Sequence, residues 1–259
     1  MPPDYQLIRL ASCPSTNEYL KADLPAGIER SQPICVLAAE QSAGRGRLGR
    51  SWSSPRGGVY LSLLWPQPLT AEQALSLPPL VAVAARSALQ PLAERLISCK
   101  WPNDLLMPYS EERRKLAGIL VELVGGRAII GIGVNVVEAA RSQPVPSGGL
   151  ASAYLLEATG LSPAAIDEAV DKTALILIKS LLDYLGRWQE GGCDFGLFVD
   201  EYRDTLIQLG EFVEIRDSNA NMIASGIVQG VDDQGRLVLQ SEQGLRMVSS
   251  GEITLRTGN

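Results

Sequence analysis

Apolar positions along the chain follow two different periods. Residues 34–39 (ICVLAA) and 59–65 (VYLSLLW) are short apolar runs, the mark of buried strands. Residues 97–101 predict another strand, ending at Pro102. Residues 119–124 and 128–137 predict two more, joined by Gly125-Gly126, a tight-hairpin signal. Helical spacing alternates with these runs. Ser15-Thr16-Asn17-Glu18 fits the capping box S-x-x-E and opens a short helix through about Lys21. The stretch from Thr70 to Gln73 repeats that pattern, and its helix should break at Pro78-Pro79. Residues 80–96 carry a helical pattern that Pro91 ends or kinks. Ser162-Pro163 reads as an N-cap with proline at the first helical position. Ile166, Val170, Leu175, Ile178, Leu182 and Leu185 then recur at helical spacing as far as Trp188. Gly191-Gly192 ends that helix, and a shorter one is expected around residues 195–206.

Near Gly210 the pattern changes to short strands divided by turns such as DDQG and SEQG, which predicts a small barrel or sandwich. The fold class is therefore α+β, a mixed sheet with flanking helices in residues 1–207, followed by a small all-β domain in residues 208–259.

Charge then narrows the function. The chain carries 29 acids against 23 bases, a net charge of −6. That argues against broad nucleic-acid or anionic-membrane binding. Yet from Gln41 to Ala71 there is no Asp or Glu, and this zone holds GRGRLGR. A local basic site on an acidic body suits a compact anionic ligand. The chain has no histidine, which removes Ser-His-Asp triads, Cys-His pairs and His-ligated zinc, and no dedicated protein metal site is expected. Its four cysteines are widely spaced with no C-x-x-C, which suits reduced, buried thiols in a cytoplasmic protein. The start, MPPDYQLIRLASC, lacks a basic leader segment and leaves no room before Tyr5 for a helix-turn-helix. No apolar run approaches the ~18 residues that span a membrane.

Four stretches carry candidate chemistry. In the loop from Gly44 to Arg50, glycines let backbone N–H groups approach an anion and arginines recognise carboxylate or phosphate bidentately. The spacing of Gly44, Gly46 and Gly49 matches G-x-G-x-x-G, but the arginine filling and the lack of a clear following helix separate it from a dinucleotide fingerprint. Lys100-Trp101-Pro102-Asn103-Asp104 either presents Lys, Asn and Asp together at a strand end or is an ordinary turn. Lys115, before Leu116-Ala117-Gly118, either neutralises an anion at a strand mouth or is one more exposed lysine after a charged run. Gly131 and Gly133, followed by Asn135, mark either close approach of a ligand or a packing need.

In this order, these stretches resemble the catalytic domain of biotin protein ligases, a class II synthetase-like fold. The resemblance spans most of residues 12–137 and rests chiefly on G-R-G-R-x-G-R together with K-W-P-N-D. The C-terminal stretch is similar to that family's SH3-like β-barrel. The family couples biotin and ATP into biotinyl-5′-AMP and pyrophosphate. It then passes biotin to a lysine of a biotin carboxyl carrier domain, usually that of acetyl-CoA carboxylase. Two anions must be joined away from water, which positive groups and backbone amides can do without histidine.

By this resemblance, Ser15, Thr16, Asn17 and Gln41 contact the biotin head. Gly44, Arg45, Gly46 and Arg47 form a loop that folds over biotin and the adenylate, with Arg45 retaining the mixed anhydride. Arg47, Arg50, Trp52, Lys100, Asn103 and Asn135 lie on the ATP side, and Trp52 stacks on adenine. Asp104 stands near the phosphates and Mg2+, and helps deprotonate the carrier lysine. Lys115 bridges the biotin carboxylate and the α-phosphate. Gly118, Gly131 and Gly133 line the ligands with little bulk. Residues 107–114 (MPYSEERR) form a longer, more charged insert than a bare turn, which leaves Lys115's approach open. The resemblance also makes a homodimer possible. A lipoate or octanoate protein ligase and a non-catalytic biotin sensor are the competing readings.

Overall fold

The computed structural model describes residues 3–22, 31–138, 150–156, 161–217, 219–249 and 251–255. Seven strands form a mixed sheet: β1 (Gln6–Leu10), β2 (Ile34–Ala38), β3 (Gly58–Leu64), β4 (Ser98–Lys100), β5 (Asp104–Tyr109), β6 (Glu112–Val124) and β7 (Arg127–Asn135). Their spatial order is β1-β2-β3-β7-β6-β5-β4, with β1 parallel to β2 and every other neighbour antiparallel. The β6–β7 hairpin turns at Gly125 and Gly126, whose φ values of 57° and 77° explain why glycine stands at both.

Two elements depart from the sequence reading. β1 was not expected, because its five residues lie half in solvent at the sheet edge and carry no clear alternation. The insert at 107–114, read only as longer and more charged than a bare turn, is the end of a hairpin between β5 and β6 that turns at Ser110 and Glu111, with Pro108 exposed. Its charged side chains lie largely towards water, so local composition does not reveal the strands.

The helices are α1 (Thr16–Ala22), α2 (Ala71–Leu75), α3 (Leu77–Leu89), α4 (Pro163–Glu190) and α5 (Val199–Arg203). Thr70 and Gln73 make the capping box reciprocally, at 3.2 and 2.9 Å. The break comes at Ser76, and Pro78 and Pro79 sit in the first turn of α3, where missing N–H groups cost nothing. α3 ends at Leu89 before a 3-10 turn at Gln90–Leu92, so residues 93–96 are not helical. Along α4 the buried stripe runs through Ala174, Leu177, Ile178, Leu181, Leu182, Leu185 and Trp188. Leu175, predicted to belong to it, is exposed.

Strand alternation sorts the sheet into two faces. Leu61 and Leu63 of β3, Ile130, Ile132 and Val134 of β7, and Ala117 and Ile119 of β6 join the core that α3 and α4 cover. On the other face α1 covers only one side, packing Leu20 on Ile34, Val36, Leu64 and Ile129. Burying Leu20 contributes about 2 kcal/mol to holding α1 there. Over the central strands that face carries Tyr60 and Ser62 of β3, Gly131 and Gly133 of β7, and Gly118 of β6, since Tyr60 opposes Gly133 and Gly133 opposes Gly118.

A second, antiparallel sheet consists of β8 (Phe212–Arg216), β9 (Met222–Val231), β10 (Leu237–Ser241), β11 (Gly244–Val248) and β12 (Glu252–Leu255), in the order β11-β10-β9-β8-β12. Trp101 ties it to the first sheet. Its backbone N–H and C=O bond the side chain of fully buried Gln208, each at 3.1 Å, and its indole donates to Gly235 O at 3.2 Å. The tryptophan of the K-W-P-N-D stretch is thus structural, and it anchors the turn that carries Asn103 and Asp104.

Candidate active site

The glycine-bearing face forms the floor of a cleft of about 800 Å³, counting space open to solvent. How Lys115 reaches this floor is a matter of register. Leu105 pairs with Ala117 and Leu106 with Lys115, so Leu116 is an extra residue in β6, a β-bulge. Leu116 and Ala117 are both buried in the core. Lys115 and Gly118 therefore share the cleft face, although simple alternation would place them on opposite faces. Asp104, opposite Gly118, shares it too, and Lys115 Nζ lies 2.7 Å from Asp104 Oδ1. The Lys115 backbone is held by residues 151–153, through Lys115 N to Ala151 O at 2.7 Å and Ala153 N to Lys115 O at 2.8 Å.

The arginine-rich loop leaves β2 and folds across the cleft. Trp52 N donates to Gly44 O at 2.8 Å and Gly46 N to Arg50 O at 2.7 Å. Arg47 Nη1 donates to Asn103 Oδ1 at 3.2 Å, while Asn103 Nδ2 donates to Ile119 O at 2.8 Å. Arg45 is paired with Glu18. The glycines differ in what they do. A Cβ on Gly44 would lie 2.4 Å from Trp52 O, so Gly44 is a packing glycine at the loop base. A Cβ on Gly46 would meet Arg50 O at 3.5 Å, an ordinary contact.

The floor glycines make room for protein side chains. A Cβ on Gly133 would lie 2.4 Å from Trp52 Nε1, and one on Gly118 3.0 Å from Trp52 Cζ3. Trp52 thus lies flat over these two glycines, with Lys115 Nζ 5.2 Å from its ring centroid. Its Nε1 is buried and finds no hydrogen-bond partner among the described residues. A Cβ on Gly131 would lie 2.4 Å from Asn17 Oδ1.

The end of the cleft under α1 is a buried polar cluster. Gln41 Oε1 accepts from Thr16 N at 2.8 Å and from Thr16 Oγ1 at 3.2 Å, and Gln41 Nε2 donates to Ser54 Oγ at 2.8 Å. Ser62 Oγ stands 2.6 Å from Thr16 Oγ1 and 2.5 Å from Asn17 Oδ1. Asn17 Nδ2 donates to Glu122 Oε2 at 2.8 Å, and Lys21 Nζ meets Glu122 Oε1 at 2.7 Å and Glu18 Oε1 at 2.8 Å. Glu18, expected to complete a capping box with Ser15, thus directs its carboxylate at Lys21 and Arg45. Burial alone would lower the Lys21 ammonium, but its bonds to Glu122 and Glu18 outweigh that and raise it. The Lys21 hydrogen bond holds the Glu18 carboxyl below its usual range. Burial, with Tyr154 nearby, pushes the Tyr60 hydroxyl well up, so it stays neutral and donates to Pro55 O at 2.6 Å.

The cleft brings together Ser15, Thr16, Asn17, Gln41, Arg45, Gly46, Arg47, Arg50, Trp52, Asn103, Asp104, Lys115, Gly118, Gly131 and Gly133. Gly44, Lys100 and Asn135 lie outside its lining. Asn135 instead bonds Lys115 O through Nδ2 at 3.1 Å, supporting the lysine from behind. Sequence reasoning missed Tyr60, Ser62 and Glu122. The first two share the face of Gly131 and Gly133, a signal available only once β3 is paired with β7. Among the described residues, no three His, Cys, Asp or Glu side chains converge as a metal site.

This arrangement, a Lys–Asp pair and three arginines around a small-residue floor, is that of a positively lined small-molecule site. Residues 10–137 match the Biotin/lipoate A/B protein ligase family, and residues 209–256 match the Biotin protein ligase C terminal domain. The chain is 32% identical to the biotin–(acetyl-CoA-carboxylase) ligase of Paracoccus denitrificans, over 94% of this chain and 98% of that protein. It is also 32% identical to the bifunctional ligase/repressor BirA of Escherichia coli strain K12, over 94% of this chain and 72% of that protein. The structure of biotin protein ligase from Aquifex aeolicus in complex with biotin and ATP superposes with a TM-score of 0.72 at 28% identity, covering 97% of this chain and 98% of that one. The chain belongs to the biotin protein ligase family.

Proposed function

We propose that the chain activates biotin with ATP and transfers it to a lysine of a biotin carboxyl carrier domain, with residues 1–207 as the catalytic domain and 208–259 as a C-terminal SH3-like domain. In the first step a biotin carboxylate oxygen attacks the α-phosphorus, the bond to the β-phosphate oxygen breaks, and pyrophosphate leaves. In the second the carrier amine attacks the acyl carbon, AMP leaves, and the amine proton passes to a base. The observation that carries this reading is Lys115 Nζ, held 2.7 Å from Asp104 on the cleft floor beneath the arginine loop. Lys115 sits where it can neutralise the biotin carboxylate and the α-phosphate together. Asp104 keeps it aimed, and accepts the carrier proton in the second step. Asn103 and Asp104 are the residues that would face Mg2+ carried by the ATP phosphates, where the ion would offset phosphate charge. Arg45 and Arg47 hold the adenylate in.

Biotin is favoured over lipoate by the polar end of the cleft. A ureido ring offers two N–H donors and a carbonyl to the polar side chains that line this end, Thr16, Asn17 and Gln41, whereas a dithiolane offers them no hydrogen-bond donor and forgoes about 0.5–1.5 kcal/mol for each bond not made. Mass spectrometry of a carrier domain incubated with biotin, ATP and Mg2+ tests the reading. One biotinyl group on one lysine is expected, and an unmodified carrier with tight lipoate binding would overturn it. Biotin binding without biotin-dependent ATP–pyrophosphate exchange would favour a sensor.

A further inference from the structure

Glu122 touches no ligand-facing space of its own, yet it decides which way a pocket amide points. Asn17 is 3% exposed, and its amide lies between Glu122 on one side and Ser62 and Gly131 on the other. An ionised carboxylate only accepts hydrogen bonds, so the amide atom facing Glu122 must be Nδ2. Asn17 Oδ1 is thereby turned over Gly131 at the cleft. Ser62 Oγ–H occupies one of its lone pairs, and the second remains for a ligand donor. Glu122 cannot rotate away, because Lys21 grips its other oxygen and is itself held by Glu18. The order of charges is Arg45, Glu18, Lys21, Glu122, alternating in sign and ending on a neutral amide.

We propose that Glu122 is a positioning residue for substrate selection. By fixing the Asn17 amide it makes this end of the pocket an acceptor, and so selects a ligand ring that presents an N–H there. This inference rests on the biotin reading above. A ring with an ether oxygen at that position would put two acceptors face to face.

The test compares wild type, Glu122→Ala and Glu122→Gln in ATP–pyrophosphate exchange. The substrates are biotin and a biotin analogue whose ureido N–H groups are replaced by ring oxygens. Wild type should prefer biotin by at least about tenfold, the value of one discriminating hydrogen bond. Glu122→Ala should raise the KM for biotin about tenfold, leave the KM for ATP unchanged, and collapse the preference, because Asn17 is then free to turn its amide. Glu122→Gln, whose carbonyl can still accept from Asn17 Nδ2, should retain most of the preference. An unchanged preference in Glu122→Ala, whether or not both affinities fall together, would overturn the proposal, as would an equal rise in both KM values. A wild-type enzyme inert towards biotin would instead refute the underlying functional reading.

Discussion

Gly133→Ala adds one methyl group to the cleft floor, and the structure says what that methyl meets. The new Cβ would lie 2.4 Å from Trp52 Nε1 and 2.6 Å from Trp52 Cε2. Carbon contacts settle at about 3.5–4.0 Å, so about 1 Å must be found. β7 cannot supply it cheaply, because it is paired with β3 on one side and β6 on the other. The indole must therefore lift into the cleft. Overpacking of this kind costs about 1–3 kcal/mol, equivalent to about a 5- to 150-fold loss of affinity if Trp52 forms part of the ligand wall. The assay is biotin-dependent pyrophosphate exchange with each substrate varied in turn, in wild type, Gly133→Ala, Trp52→Phe and the double variant. A phenyl ring is smaller than indole, so Gly133→Ala should cost much less in the Trp52→Phe background. Wild-type KM values in Gly133→Ala would refute the packing argument. So would losses that add in the double variant to within about 0.5 kcal/mol, the signature of independent sites.

Four further outcomes are expected. Lys115→Ala should reduce pyrophosphate exchange by at least about 10²–10³-fold, the worth of one preorganised donor at a developing charge; exchange at wild-type rates would contradict its role. Arg45→Ala should release biotinyl-5′-AMP and biotinylate lysines of bystander proteins, read by blotting against a non-carrier protein, and unchanged adenylate retention would show that Arg45 is not part of the lid. Gly46→Ser should perturb the loop less, since a Cβ there meets Arg50 O at an ordinary 3.5 Å. Gln208→Ala should destabilise the fold by roughly 2–4 kcal/mol in urea titration, because it strands the buried N–H and C=O of Trp101; a change within about 0.5 kcal/mol would mean that these groups find other partners.

Much of the local structure was legible because its causes are local. Thr70 with Gln73, Ser162 with Pro163, and Gly125-Gly126 specify caps and a turn through neighbours a few residues away. The fold class and the ligase reading rest on the same kind of short-range pattern, and the family and structural matches agree with both. The zone free of acids from Gln41 to Ala71 pointed to an anion, and the loop within it does close over the cleft. Where local pattern misled, the cause was equally physical. The charged hairpin at 107–114 reads only as an insert because its polar side chains face water and hide the strand pattern, and Leu175 fits a helical stripe whose true centre lies one position away.

What the chain could not disclose residue by residue was orientation. Lys115 reaches the cleft only because Leu116 bulges from β6, and a bulge is a mismatch between two strands that neither strand reveals alone. Gly118 and Gly133 look like ligand clearance in the sequence; in the structure they line the cleft and also leave room for the Trp52 indole. Asn17 is readable as a polar residue near a helix start. Which end of its amide faces the cleft depends on a carboxylate 105 residues further on. Residue types and periodicity follow from neighbours along the chain, whereas the direction in which a polar atom points follows from partners that only the paired strands bring within bonding distance.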